Sequence, residues 1–306
     1  MSTTGRDLAL RLRRLLALAI ATTLALFLSY RGVHDDAVPL NDATAPGILA
    51  VDTARGALDG AHRVVESGGG GDISGEFHTR ISVAQQSLAL AASENVTGVE
   101  GRHDLQTVTG LIAVYSVWLD RMGREPAGSP LRAAYLHYAD QVLGPGADGD
   151  IMSRLADLRA GQVAEARRQA AFPWQSWAGW GAVAALWVSW CAALLETQRF
   201  LRRRFREPVR FPLSAAAALG AIGVPALAVR TATAHAAMAD ALSRVRDPVA
   251  AQRVPDVADE VAGILENAWF WASLSDWIVL GGAVVVVLTV WGLWPRIAEY
   301  RFRVPR

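Results

Sequence analysis

The sequence has 306 residues, 52% of them hydrophobic, with one cysteine, no lysine and a formal net charge of +1. That composition, at a mean hydropathy of +0.22, suits either one large soluble domain or a membrane protein with a modest soluble part. The lone Cys191 excludes a disulfide framework or a cysteine metal site within one chain. Short basic segments and a small net charge give a nucleic-acid partner no support.

Clustering decides for a membrane protein. Apolar residues gather in four blocks, near Leu15 to Tyr30, Trp174 to Leu195, Phe211 to Val229 and Trp277 to Trp294. Tryptophans cluster in or beside the second and fourth, several at their ends, where amphipathic rings favour the headgroup layer. About 20 helical residues at about 1.5 Å each cross a hydrocarbon core of about 30 Å.

Residues 1–30 comprise a basic start and a first span. Arg6, Arg11, Arg13 and Arg14 precede the apolar block, as in a signal peptide, but no small-x-small cleavage site follows. The reading is an uncleaved anchor, short for the bilayer, with Arg13 and Arg14 snorkelling to the surface.

Residues 31–173 read as an extracytoplasmic domain broken at Ser67 to Gly71, Gly123 to Pro130 and Gly144 to Gly149. Between the breaks the period is helical. Leu105, Val108, Ile112, Tyr115, Leu119 and Met122 alternate spacings of three and four, and Phe77, Ile81, Ala84, Leu88 and Ala91 do the same. Further helices are expected at 46–66, 130–143 and 151–171. An all-α fold follows, with an antiparallel bundle between the first two spans.

Residues 174–195 and 212–229 are the second and third spans. The bend between them, 196–211, carries Arg199, Arg202, Arg203, Arg204, Arg206 and Arg210 against Glu196 and Glu207. A short loop this basic belongs on the cytoplasmic side, and alternation then assigns the rest, both termini included. Charge agrees: residues 1–30, 196–211 and 295–306 hold 14 arginines against 4 acidic residues, whereas the remainder holds 16 against 25.

Residues 230–275 form a smaller extracytoplasmic helical hairpin, broken at Arg246 to Pro248 and Val254 to Asp256, with its second helix expected from Val257 to about Ser275. The fourth span, 276–294, and a basic tail, 295–306, complete the chain.

Chemistry is sparse. His34, His62, His78, His103, His137 and His235 scatter without ligand spacing and read as solvated surface. Gly68 to Gly71 lacks the residues of a phosphate loop and reads as linker. Asp276 reads as an interfacial or capping acid of the fourth span. Gly179, Gly181, Gly220, Gly223, Gly281 and Gly282 offer small faces for helix packing, and Pro225 a kink. No cofactor or metal is called for. The loop arginines are candidates for docking a soluble partner or for contact with anionic membrane lipid. In the extracytoplasmic bundle, Gln85, Gln106, Arg132, Tyr135 and His137 are the leading candidates for ligand or partner contact.

Four stretches carry a resemblance: Ala84 to Ala92, Leu105 to Leu111, Leu131 to Tyr138, and Arg199 to Pro208 after a Trp-rich span. They resemble a group of actinobacterial four-span membrane proteins of the GlnX type. That resemblance implies a relay between an extracytoplasmic amino-acid-binding lipoprotein and a cytoplasmic Ser/Thr kinase. The part after Val229 is shorter than in that type. From the residues alone, cytoplasmic segments too short to fold an enzyme favour a non-enzymatic sensor or signal relay. A transporter or permease-associated subunit is the alternative and requires polar groups along the spans. The sequence leaves a homo-oligomer open.

Overall fold

The computed structural model describes residues 3–67, 75–94, 98–144, 150–205, 211–266 and 268–302. Among them there is no strand. In chain order the helices are α1 (Thr3–Pro39), a π-helical turn (Leu40–Thr44), α2 (Ala45–Ser67), α3 (Gly75–Glu94), α4 (Gly98–Arg124), α5 (Pro130–Leu143), α6 (Ile151–Ala170), α7 (Trp174–Phe205), α8 (Phe211–Arg246), a 3-10 turn (Ala251–Arg253), α9 (Val254–Leu265) and α10 (Ala268–Phe302). The chain divides into two compact units, one of Met1–Val38, Phe172–Ala236 and Asn267–Arg306, the other of Pro39–Ala171 and Ala237–Glu266.

The first unit is built from α1, α7, the first part of α8, and α10. Each belongs to a helical stretch long and apolar enough to cross a membrane. Its core joins Leu8, Leu12, Leu15 and Ala19 of α1 to Trp190 and Leu194 of α7, Leu213 and Ala216 of α8, and Val285 and Leu293 of α10. The outward faces are also apolar: Leu24, Leu28, Val188, Ile222, Val229, Val284, Val287 and Trp291 are exposed. A bundle apolar inside and out is stable in hydrocarbon and not in water. Hydroxyls within it turn back on their own helices, Thr22 to the Leu18 carbonyl, Thr23 to Ala19, Ser189 to Ala185 and Thr289 to Val285, which satisfies them locally.

Only some of the glycines pack closely. A Cβ on Gly220 would run into the Trp190 ring and one on Gly282 into Thr23, whereas Gly181, Gly223 and Gly281 face open space. α8 continues through Pro225. α7 extends to Phe205, so residues 196–205, read as loop, are helical. There Glu196 accepts from Arg11 at 2.9 Å and lies 3.9 Å from Arg14, and Arg11 covers the Phe200 ring at 4.7 Å. The basic start of α1 and the basic end of α7 therefore sit together.

The second unit forms around the two faces whose spacing was evident in the sequence. Phe77, Ile81, Ala84, Leu88 and Ala91 of α3, and Leu105, Val108, Ile112, Tyr115, Leu119 and Met122 of α4, are all buried. They meet Val51, Ala54 and Leu58 of α2, Ala139 and Leu143 of α5, and Ile151, Leu155 and Leu158 of α6 in one core. Burying each large apolar side chain is worth about 1.5–3 kcal/mol. Gly128, at φ +84, turns the chain into α5. Ser129 then caps that helix by accepting from the Leu131 amide, and Asp150 caps α6 by accepting from Ser153 at 2.6 Å. α9 adds Val257, Val261 and Leu265 as a short buried stripe.

Three departures from the sequence reading have local causes. The helix does not stop at Tyr30: Arg31 pairs with Asp35 one turn on at 2.9 Å, which supports the polar stretch to Pro39. Pro39 and Pro46 each remove a backbone donor, and the ladder widens into the π turn between them. The helix expected from Val257 to Ser275 is instead two, α9 ending at Leu265 and α10 beginning at Ala268. Asp276 thus lies inside α10, exposed, and not at a helix start.

Candidate functional site

α6 presents Leu155, Leu158, Gln162, Val163 and Ala166 as its buried side, and Arg159 falls in the same stripe. α2 is similar: Asp52 sits on a buried face whose other members between Ile48 and Leu58 are all apolar. Helical periodicity thus turns two charges inward. Taking either alone out of water costs several kcal/mol, so each needs the other.

They meet as a two-point pair. Arg159 Nε donates to Asp52 Oδ1 at 2.7 Å and Nη2 to Oδ2 at 3.1 Å. The remaining donors reach the end of α8: Nη1 donates to the Arg246 carbonyl at 3.1 Å and Nη2 to the Val245 carbonyl at 3.0 Å. These belong to the last turn of a helix, whose carbonyls lack intrahelical partners and carry the negative end of its dipole. Pro248 follows after Asp247 and prevents the helix from continuing. Asp52 Oδ2 also accepts from the Val249 amide at 3.1 Å. Guanidinium geometry explains the choice of arginine, since its planar fork serves a carboxylate and two carbonyls at once.

This clamp joins α2, α6 and the α8–α9 connection, which come from distant parts of the chain. Two weaker ties lie in the same unit. Thr44 of the π turn donates to Gln169 Oε1 of α6 at 2.9 Å, and Arg244 of α8 pairs with Glu260 of α9 while lying 3.6 Å from Asp240. One turn beyond Arg159, Gln162 is 1% exposed and its Oε1 accepts no hydrogen bond among the described residues.

A second polar cluster lies at the edge of the core, where α2, α4 and α5 meet around buried Tyr115. His62 Nδ1 is 3.3 Å from the Tyr115 hydroxyl, and Nε2 is 3.4 Å from Glu66 and 3.6 Å from Asp140. Burial, with Asp140 and Glu66 nearby, pushes the Tyr115 hydroxyl well above its ordinary pKa. His34, read as solvated surface, is 1% exposed and stacks on Tyr30 with ring centroids 3.9 Å apart.

The five residues singled out in the bundle occupy three helices. Gln85 on α3 and Gln106 on α4 are exposed. Arg132 of α5 donates to the Glu125 carbonyl at 3.1 Å and so closes the end of α4. Tyr135 stacks on Trp118 at 5.9 Å, and His137 is exposed and 3.1 Å from Gln141. In the basic bend Arg199, Arg202 and Arg203 are exposed on the last turns of α7. Arg204 lies in the same helix, while Arg206 and Arg210 fall outside the described residues.

Residues 36–171 match the family model of the actinobacterial sensor domain. The match supports a sensor family of actinobacteria. No curated protein and no solved structure matches the chain. The sensor-domain stretch contains Asp52, Arg159, the His62 cluster and the five bundle residues, but not Val245, Arg246 or Val249. The clamp therefore joins the matched stretch to a segment beyond its limits. Asp52 and Arg159 were absent from the candidates read in the sequence. The available signal was a charge on an otherwise apolar helical face, in each of two helices.

Proposed function

We propose that the chain is a non-enzymatic, multi-pass membrane sensor whose helical domain lies outside the cytoplasm and signals through α8. The observation that carries this reading is the buried clamp from Arg159 and Asp52 to the end of α8. α8 runs from Phe211 to Arg246, so its clamped end and its apolar span belong to the same helix. A ligand or partner acts on such a device through its differential affinity for two arrangements of the domain. The arginine-rich end of α7, beside the basic start of α1, is the proposed cytoplasmic face, in contact with anionic lipid and with a soluble partner. A Ser/Thr kinase inside and an amino-acid-binding lipoprotein outside are the partners that the GlnX resemblance implies.

The transport alternative gains no support from the spans, where threonine and serine hydroxyls are turned onto their own helices. Sidedness is tested with single cysteines at Gln106 and Arg203 in a Cys191→Ala background, labelled in intact cells by a membrane-impermeant maleimide. Labelling at 106 alone is expected; labelling at 203 alone reverses the assigned compartments.

A further inference from the structure

The second unit holds a half-open cleft of about 230 Å³ at the seam between the sensor-domain stretch and α9. Asn41, Ala45, Pro46, Leu49 and Thr53 form one wall, Ser87 and Leu90 of α3 the second, and Val254, Ala258, Val261 and Ala262 of α9 the third. Three observations mark it as more than a packing gap. Its first wall includes the π turn, a local widening that recurs at functional sites. Its third wall is tethered a few residues away, where the Val249 amide donates to Asp52. Its lining is chemically selective: aliphatic surface with one amide and two hydroxyls, and no charged side chain, on a chain rich in both signs of charge.

We propose that this cleft binds a small uncharged amphiphile, with a short branched or linear aliphatic body and one amide or hydroxyl-type polar end, and that its occupancy sets the position of α9. The volume is below the range of drug-sized pockets, which limits the ligand to a few carbon atoms beyond its polar group. The Thr53 hydroxyl already donates to the Leu49 carbonyl and Asn41 Nδ2 to Asp42 Oδ1, which leaves the Asn41 and Thr53 oxygens as neutral acceptors and the Ser87 hydroxyl as a neutral donor for that end. A free amino acid is disfavoured, because its ammonium and carboxylate would leave water without a charged partner. The site thus separates direct ligand sensing by this chain from sensing through an amino-acid-binding partner. It rests on the sensor reading above only for its consequence, not for binding itself.

The test uses the full chain in lipid nanodiscs and three probes of similar shape: isovaleramide, isovalerate and L-leucine. Saturation-transfer NMR reads binding, and amide hydrogen exchange over residues 237–266 reads the response. Isovaleramide is expected to bind at least tenfold more tightly than the other two. Ala258→Trp, which fills the cleft, is expected to abolish its signal, whereas Ala133→Trp on the exposed side of α5 leaves it intact. Ser87→Ala, a variant that removes only a hydroxyl, is expected to weaken binding while helicity stays unchanged. Equal binding of isovalerate or L-leucine, no binding of any probe, or an isovaleramide signal that survives in Ala258→Trp overturns the cleft. If isovaleramide binds and exchange at α9 does not change, the site stands and its coupling fails. If no probe binds while clamp variants still loosen α8, the cleft fails and the relay stands.

Discussion

Arg159 and Asp52 make a buried two-point ion pair across 107 residues of sequence, and the same guanidinium holds the last two carbonyls of α8. The side chains are 8% and 2% exposed, so solvent does little to replace either partner. Whatever moves α2 relative to α6 must therefore strain or release the end of α8.

Removing one partner should be far worse than removing both. Arg159→Met leaves Asp52 buried with, among the described residues, the Val249 amide alone to serve it, at a cost of about 3–5 kcal/mol. The double variant Asp52→Leu with Arg159→Met replaces the pair by apolar volume and is expected to recover most of that loss. Chemical unfolding of the four proteins of this double-mutant cycle checks it, and additive losses contradict it.

Gln162 offers the opposite sign. Its buried Oε1 accepts nothing among the described residues, and an unsatisfied acceptor costs about 1–3 kcal/mol. Gln162→Met keeps the volume and removes that acceptor, so it is expected to raise unfolding stability by about 1 kcal/mol. A loss of stability would show that the amide has a partner in solution.

Tyr115 gives a pH signature. Its folded pKa lies above the unfolded value of about 10 because burial, Asp140 and Glu66 all disfavour the phenolate. The stabilisation is complete below pH of about 10 and is lost as pH rises through the folded value. Midpoints of wild type and Tyr115→Phe measured from pH 8 to 11.5 should run parallel at first. Above pH of about 10 the wild type should fall more steeply, while parallel curves throughout contradict the assignment.

In the span unit, Gly220 admits the Trp190 ring, and its carbonyl accepts from Trp187 Nε1 at 2.9 Å. Trp190 is 3% exposed and has little room to yield. Gly220→Val is therefore expected to cost about 1–3 kcal/mol by overpacking, whereas Gly223→Val, facing open space, should cost little. Unfolding in mixed detergent separates the two, and equal effects contradict close packing at Gly220.

Periodicity made much of this legible. The α3 and α4 faces, the break before α5 and the four apolar stretches follow from residue spacing, because a helix buries what recurs every three or four positions, while the breaks expected at 68–71 and 145–149 lie outside the described residues. Other features depend on partners far along the chain. Asp52 and Arg159 read as two ordinary charges among many until the fold brings them within 2.7 Å. The extension of α8 past Val229 is carried by Thr231, Met238, Ala241 and Val245, a buried stripe that small and exposed neighbours obscure. The π turn needed two prolines to be read together, seven residues apart.

The clamp itself is most directly tested by amide hydrogen exchange on the full chain in nanodiscs, comparing wild type with Arg159→Met. Coupling through Arg159 predicts that protection falls selectively over residues 237–249, while α4 and α5 keep theirs. Unchanged protection at the end of α8, or a uniform loss across every helix, would contradict it.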